Sequence, residues 1–236
     1  MDIFSSSASE ADKPPPENVG SARERIPGVG IYAYGIISNC YRSADNERRN
    51  WVRSLAWLSR LMPDEYVASI YEIDLDALWR RGIRLILTDL DNTLVPWNHP
   101  DVPSELTAWL RSVHARGFHV CIISNNGEDR VGSFAKLCGV PAVSAAGKPK
   151  SRGFLEALRR FHMPPEATAM VGDQLFTDIQ GAKRLGLYAI LVLPQDPVEW
   201  WGTKISRMAE RLVLRRLERR GLRRPEPAAD RRRLDD

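Results

Sequence analysis

Five apolar runs recur at regular intervals: "IRLILTD" (83–89), "FHVCIIS" (118–124), "PAVSAA" (141–146), "ATAMVGD" (167–173) and "YAILVLP" (188–194). Between them lie stretches of helical character at about 104–116, 128–138, 151–162 and 176–185. Strands that are apolar without alternation are covered on both faces, and strand–helix alternation sets them parallel. The chain is therefore predicted to be an α/β protein with a parallel sheet between helices. "KLCGV" and "RLGLY" put Gly139 and Gly186 just past helical runs, where a C-cap is expected. A length of 236 residues with 43% apolar residues allows one such core plus tails.

Open parallel sheets bind ligands beyond the carboxyl ends of their strands. The unusual polar residues fall there. Asp89 ends the first run, Ser124 the second and Asp173 the fourth, while Lys148 lies just past the third. Taken singly, each has a plainer reading: a turn, a helix cap, a solvated lysine, a helix start. Four in this order at successive strand ends converge on one crevice, and that convergence carries the argument.

Asp89 leads the D-x-D-x-T arrangement of "LILTDLDNTLVPWN", with Asp91 and Thr93. A carboxylate fixed at a strand tip can attack phosphorus and form an aspartyl-phosphate. Asp91 can face the leaving group, protonate the departing alkoxide and then take a proton from the attacking water. Asp89, the backbone carbonyl of Asp91, and Asp173 make an oxygen set suited to Mg²⁺. Ser124 and Asn125 in "IISNN" can hold a phosphate oxygen with the first amides of the following helix. Lys148 would offset charge on the transferring phosphoryl group, and Thr93 joins these three as a candidate phosphate contact. Asp178, in "GDQLFTDIQGA", is expected to orient Lys148 or a metal-bound water.

These residues resemble the four motifs of the haloacid dehalogenase (HAD) superfamily: "DLDNT", "SN", "KP" and "GDQLFTD". The resemblance implies a HAD-like Rossmannoid three-layer sandwich and Mg²⁺-dependent chemistry. The second acid, Asp91, is similar to that of the phosphatase and phosphotransferase branches. Over roughly residues 60–210 the chain resembles the YqeG group of HAD-IIIA phosphatases, on "LMPDEYVASIYEIDLDALWRRGIRLILTDLDNTLVPWN", "GDQLFTDIQGAKRLG" and "EWWGTKISRMAER". That group is related to phosphatases acting on phosphatidylglycerophosphate, so the resemblance implies a phosphorylated lipid substrate and phosphatidylglycerol as product. An N-terminal segment of nearly 60 residues and an arginine-rich end depart from the group's pattern.

Spacing bears on the substrate independently. Only 34 residues separate Asp89 from Ser124, and 22 separate Asn125 from Lys148. Each gap holds one helix and one strand, so no large cap domain is expected. An uncapped crevice suits a phosphate presented on something large, whereas small metabolites more often need a lid. The alternative is a phosphatase acting on nucleic-acid ends, proteins or small metabolites. Aromatic residues near the tail form no stacking series, which argues against nucleic acid. A non-enzymatic scaffold would not need both Asp89 and Asp91.

Residues 1–58 are expected to be a disordered or loosely ordered extension, 59–202 the catalytic domain, and 203–236 a basic helix and tail. From Lys204 to Arg224 there are nine Lys or Arg against two acids. Ile205, Met208, Leu212, Val213 and Leu217 recur at helical spacing among them. This stretch either rests on an anionic membrane through 203–224 or docks its apolar stripe on the sheet. Trp200 and Trp201 suit a headgroup level or simple packing, and Trp97 is placed by analogy at the crevice mouth. Cys40, Cys121 and Cys138 form no disulfide or zinc pattern, and Cys121 is expected in the core. With no signal layout and no run of 18 apolar residues, the expected location is cytoplasmic, with peripheral contact at the inner membrane face.

Overall fold

A computed structural model of the chain describes residues 57–196 and 203–226, with side chains from 208 onward in the second segment. Expectations for residues 1–56, for Cys40 and for Trp200 and Trp201 lie outside the described residues. The elements run β1 (Glu65–Val67), α1 (Leu75–Arg80), β2 (Leu85–Thr88), α2 (Ser104–Ala115), β3 (His119–Ile123), α3 (Glu128–Cys138) and β4 (Ala142–Val143). They continue through α4 (Ser151–Phe161), β5 (Thr168–Gly172), a π-helical turn (Leu175–Ile179), α5 (Gln180–Leu185), β6 (Tyr188–Val192) and α6 (Thr203–Glu218). All strand pairs are parallel, in the order β1-β6-β5-β2-β3-β4.

The continuous apolar strands divide their side chains between two cores, as the period of two requires. Ile86, Val120, Ile122, Val171 and Ile190 face one core with α1, α2 and α3. Leu85, Leu87, Cys121, Met170 and Leu191 face the other with α4, α5 and α6. The result is the three-layer α/β sandwich expected from the sequence. Gly139 and Gly186 end α3 and α5 at φ 67° and 78°, the left-handed caps read from "KLCGV" and "RLGLY". Cys121 is fully buried, and burial pushes its thiol up to about 12.

Two elements differ from expectation. The sheet has a sixth strand, β1, paired to β6 at the edge. Its three residues are all half-buried, so no apolar run announces it. The helix expected over 176–185 divides into the π-helical turn and α5. The buried Asp178 lies in that turn, so part of a helical face is turned to polar contacts.

The strand order fixes where the site falls. The chain walks from β2 outward to β3 and β4, then returns through α4 to place β5 on the other side of β2. The switch point thus lies between β2 and β5, whose next residues are Asp89 and Asp173. Between β2, β3 and β4 the chain forms one helix per connection, with no inserted domain.

Candidate active site

Asp89 continues the ladder one step beyond β2, its N–H donating to Val171 O at 2.9 Å. The chain then curls tightly: Leu94 N donates to Leu90 O (2.9 Å), and Asn92 takes a left-handed φ of 65°. The curl turns Asp91 back toward the crevice beside Asp89, and both carboxylates are buried.

Lys148 Nζ lies between two carboxylates, 2.7 Å from Asp89 Oδ1 and 2.7 Å from Asp178 Oδ1. All three side chains are at most 10% exposed, so these pairs are little screened by solvent. Burial pushes Asp89 up to about 6, with the Lys148 ammonium opposing and the Asp178 charge adding to the rise. Burial works to lower Lys148, but Asp178 and Asp89 outweigh it and hold the ammonium above the usual lysine range.

One carboxylate oxygen from each of Asp89, Asp173 and Asp178 lies within 4.8 Å of the other two, and all three residues are buried. Asp89 and Asp178 share the Lys148 ammonium, and Asp173 brings a third carboxylate beside them. The donor set is all oxygen, as a hard cation prefers. Asp178 Oδ2 also accepts from Gln174 N at 3.1 Å, which fixes it under the turn.

Asp91 is held by residues that the sequence reading did not select. Its Oδ1 accepts from Asn98 N (2.8 Å) and Arg130 Nη2 (2.9 Å), and its Oδ2 from Asn126 Nδ2 (2.6 Å). Arg130 stands in the first turns of α3. A cation there opposes the helix dipole, and that mismatch in "SNNGEDR" was the available signal.

The other expected residues come together with different partners. Ser124, Asn125 and Lys148 all line one cavity of about 490 Å³ with Asp89 and Asp91. Asn125 spends its amide on the backbone of Lys148: Oδ1 accepts from Lys148 N (2.7 Å) and Nδ2 donates to Lys148 O (3.1 Å). It thereby positions the lysine. Ser124 Oγ accepts from Asn126 N at 3.2 Å. Thr93 is buried, and its hydroxyl donates to Asp173 Oδ1 at 3.4 Å. Trp97, 42% exposed, lines the cavity, as do Gln174 and Thr177 from the turn after β5.

The family model for haloacid dehalogenase-like hydrolases matches residues 97–186. "Probable phosphatase YqeG" of Bacillus subtilis is 38% identical over 160 residues, covering 68% of this chain and 93% of that protein. "Phosphoserine phosphatase" of Thermus thermophilus is 32% identical over 108 residues, covering 39% of this chain and 43% of that protein. The crystal structure of an uncharacterized protein from Listeria monocytogenes serotype 4b gives a TM-score of 0.41 at 18% identity, covering 56% of this chain and 99% of that one.

Proposed function

The chain belongs to the YqeG group of haloacid dehalogenase-like phosphatases, and on that premise we propose that it hydrolyses a phosphate monoester through Asp89, with phosphatidylglycerophosphate as substrate. The observation that carries the chemistry is the arrangement of two buried acids on one crevice: Asp89 against Lys148, and Asp91 oriented by Arg130 and Asn126.

Asp89 attacks phosphorus while the ester oxygen leaves. Asp91 delivers a proton to that oxygen, from Oδ2, which takes one donor where Oδ1 takes two. Asp91 then accepts a proton from water, whose oxygen attacks the aspartyl-phosphate and releases phosphate and Asp89. Lys148 and Ser124 hold the phosphoryl oxygens, and Asn125 keeps Lys148 in place. Asp89, Asp173 and the backbone carbonyl of Asp91 would hold Mg²⁺, which supplies charge neutralisation between the acids and the phosphate. Thr93 and Asp178 orient this set from behind.

The lipid rests on a crevice with no inserted cap among the described residues and on the outer face of α6. Val213 and Leu217 of that helix are buried in the core beneath β6, whereas Met208 and Leu212 are 62% and 54% exposed. Exposed Arg211, Arg215, Arg216 and Arg219 surround them. An apolar pair among arginines suits an anionic bilayer, where each cation contributes about 1 kcal/mol. Residues 59–202 then form the catalytic domain, and 203–224 its membrane-facing surface. No described helix is long and apolar enough to cross a membrane.

The test is Mg²⁺-dependent phosphate release from phosphatidylglycerophosphate in mixed micelles, beside glycerol-3-phosphate, a nucleotide and a 5′-phosphorylated oligonucleotide, with Asp89→Asn as blank. Preference for the lipid is the expected result. Turnover confined to the oligonucleotide or the small esters would remove the lipid and leave the phosphatase.

A further inference from the structure

Glu210 is a buried acid on an outer helix, at 3% exposure. It continues the stripe of Val213 and Leu217 at helical spacing, where a leucine would extend the apolar contact. Burying a carboxylate there is costly unless it answers a specific donor. One such donor is the backbone of the turn after β5: Phe176 N donates to Glu210 Oε1 at 3.2 Å, across 34 residues of chain.

That turn carries the acids of the candidate site. Asp173 precedes it and Asp178 lies within it, three and two residues from Phe176. A π-helical turn leaves its leading amides without partners inside the turn. Two carboxylates meet them here: Asp178 Oδ2 takes Gln174 N, and Glu210 takes Phe176 N. Leu175 and Ile179 anchor the turn in the core, but the amide between them is tied to α6.

We propose that Glu210 is a positioning residue of the phosphatase site: by holding the Phe176 amide it fixes the turn that sets Asp173 and Asp178 around the Asp89–Lys148 pair. The inference rests on the phosphatase reading above and extends it, because it makes the C-terminal helix part of the apparatus that orders the site. Acids that must share a cation tolerate little displacement, and partners behind metal ligands typically contribute about 10- to 100-fold in affinity.

The experiment compares Glu210→Leu and Glu210→Gln with the parent, using the full chain. Leucine keeps the stripe apolar and removes the acceptor; glutamine keeps an acceptor oxygen. Amide hydrogen exchange over 174–179 in EDTA reads the turn itself. Mn²⁺ titration by calorimetry reads the acid cluster, and phosphate release is measured separately. Glu210→Leu is expected to stay folded, speed exchange at Phe176, and weaken Mn²⁺ binding about tenfold. Glu210→Gln is expected to restore most of both. Parental exchange in Glu210→Leu, or Glu210→Gln behaving as Glu210→Leu does, would overturn the proposal. If Glu210→Leu does not fold, Glu210→Asp serves instead: it draws the acceptor back by one methylene and must speed the same exchange. A parent that releases no phosphate would defeat the functional reading, while the exchange data would still decide on Glu210.

Discussion

Replacing Gly172 by alanine tests whether the packing behind the crevice sets its chemistry. Gly172 is the last residue of β5, and a Cβ built there would stand 2.5 Å from Asp178 Cβ, with the carboxylate closer still. Real Cβ atoms essentially never approach within 3.0 Å, so something must move by roughly half an ångström. Asp178 cannot simply swing away, because its own Cβ is in the collision and its carboxylate holds both Lys148 and Gln174 N. Overpacking of this kind typically costs about 1–3 kcal/mol. The same shift pulls an anion off the lysine that sits on Asp89, and a misplacement of about 1 Å can cost 10²-fold in rate. Urea unfolding in EDTA should therefore show a loss of about 1–3 kcal/mol. Phosphate release should show kcat falling about 10- to 100-fold. Leu106→Ala, in the opposite core beneath α2, supplies the comparison: a loss of about 2–5 kcal/mol without the fall in kcat. Gly172→Ala with parental stability and turnover, or with a kcat no lower than that of Leu106→Ala, would refute the reasoning.

Three further outcomes are expected. Asp89→Asn should abolish phosphate release and also change how metal-free stability depends on pH. Burial raises Asp89 to about 6 from 3.8, so the folded state binds its proton more tightly than the unfolded state, and stability is lost as pH rises through that window. In EDTA, urea unfolding should find the variant and parent alike near pH 4 and the variant more stable by up to about 3 kcal/mol at pH 7.5; the reverse order would contradict the burial argument. Arg130→Met should lower kcat more than it raises KM, within the ~10²–10⁴-fold that a positioned acid/base contributes, since it frees Asp91 from its cation. Leu217→Ala should cost about 2–5 kcal/mol by thermal or urea unfolding, because Leu217 is fully buried; no cost would mean that α6 does not dock.

Much of the fold was legible because its signals are local. The apolar runs at 83–89, 118–124, 167–173 and 188–194 each contain a strand, and each is buried on both faces as continuous apolar composition requires. The glycines of "KLCGV" and "RLGLY" end helices because only their φ values of 67° and 78° close those turns cheaply. What escaped was whatever has no local signature. The strand β1 draws its stability from pairing with β6, over a hundred residues away, and shows no apolar run of its own. The π-helical turn answers to the hydrogen bonds that the Gln174 and Phe176 amides donate to Asp178 and Glu210 more than to its own helical periodicity.

For the site, the sequence by itself determined which groups stand at the strand ends, since a polar residue that closes an apolar run is carried to the edge of the sheet wherever the sheet forms. Asp89, Ser124 and Lys148 do line one crevice with Asp91, whereas Asp173 stands beside Asp89 but lines a separate cavity toward α6. Only the tertiary structure decided what each of these touches. Placing β5 beside β2 brings Thr93 to Asp173 across 80 residues, and the neighbouring β3 delivers Asn126 and Arg130 to Asp91 across 35 and 39. Asn125 was readable as a crevice residue, but its service to the Lys148 backbone depends on how the β4 loop returns to β3. Glu210 was readable only as one acid in a basic helix until α6 packed against the turn. The division follows from range: hydrophobic patterning acts through nearest neighbours along the chain, whereas hydrogen bonds and ion pairs between elements exist only after strand order and register have been set.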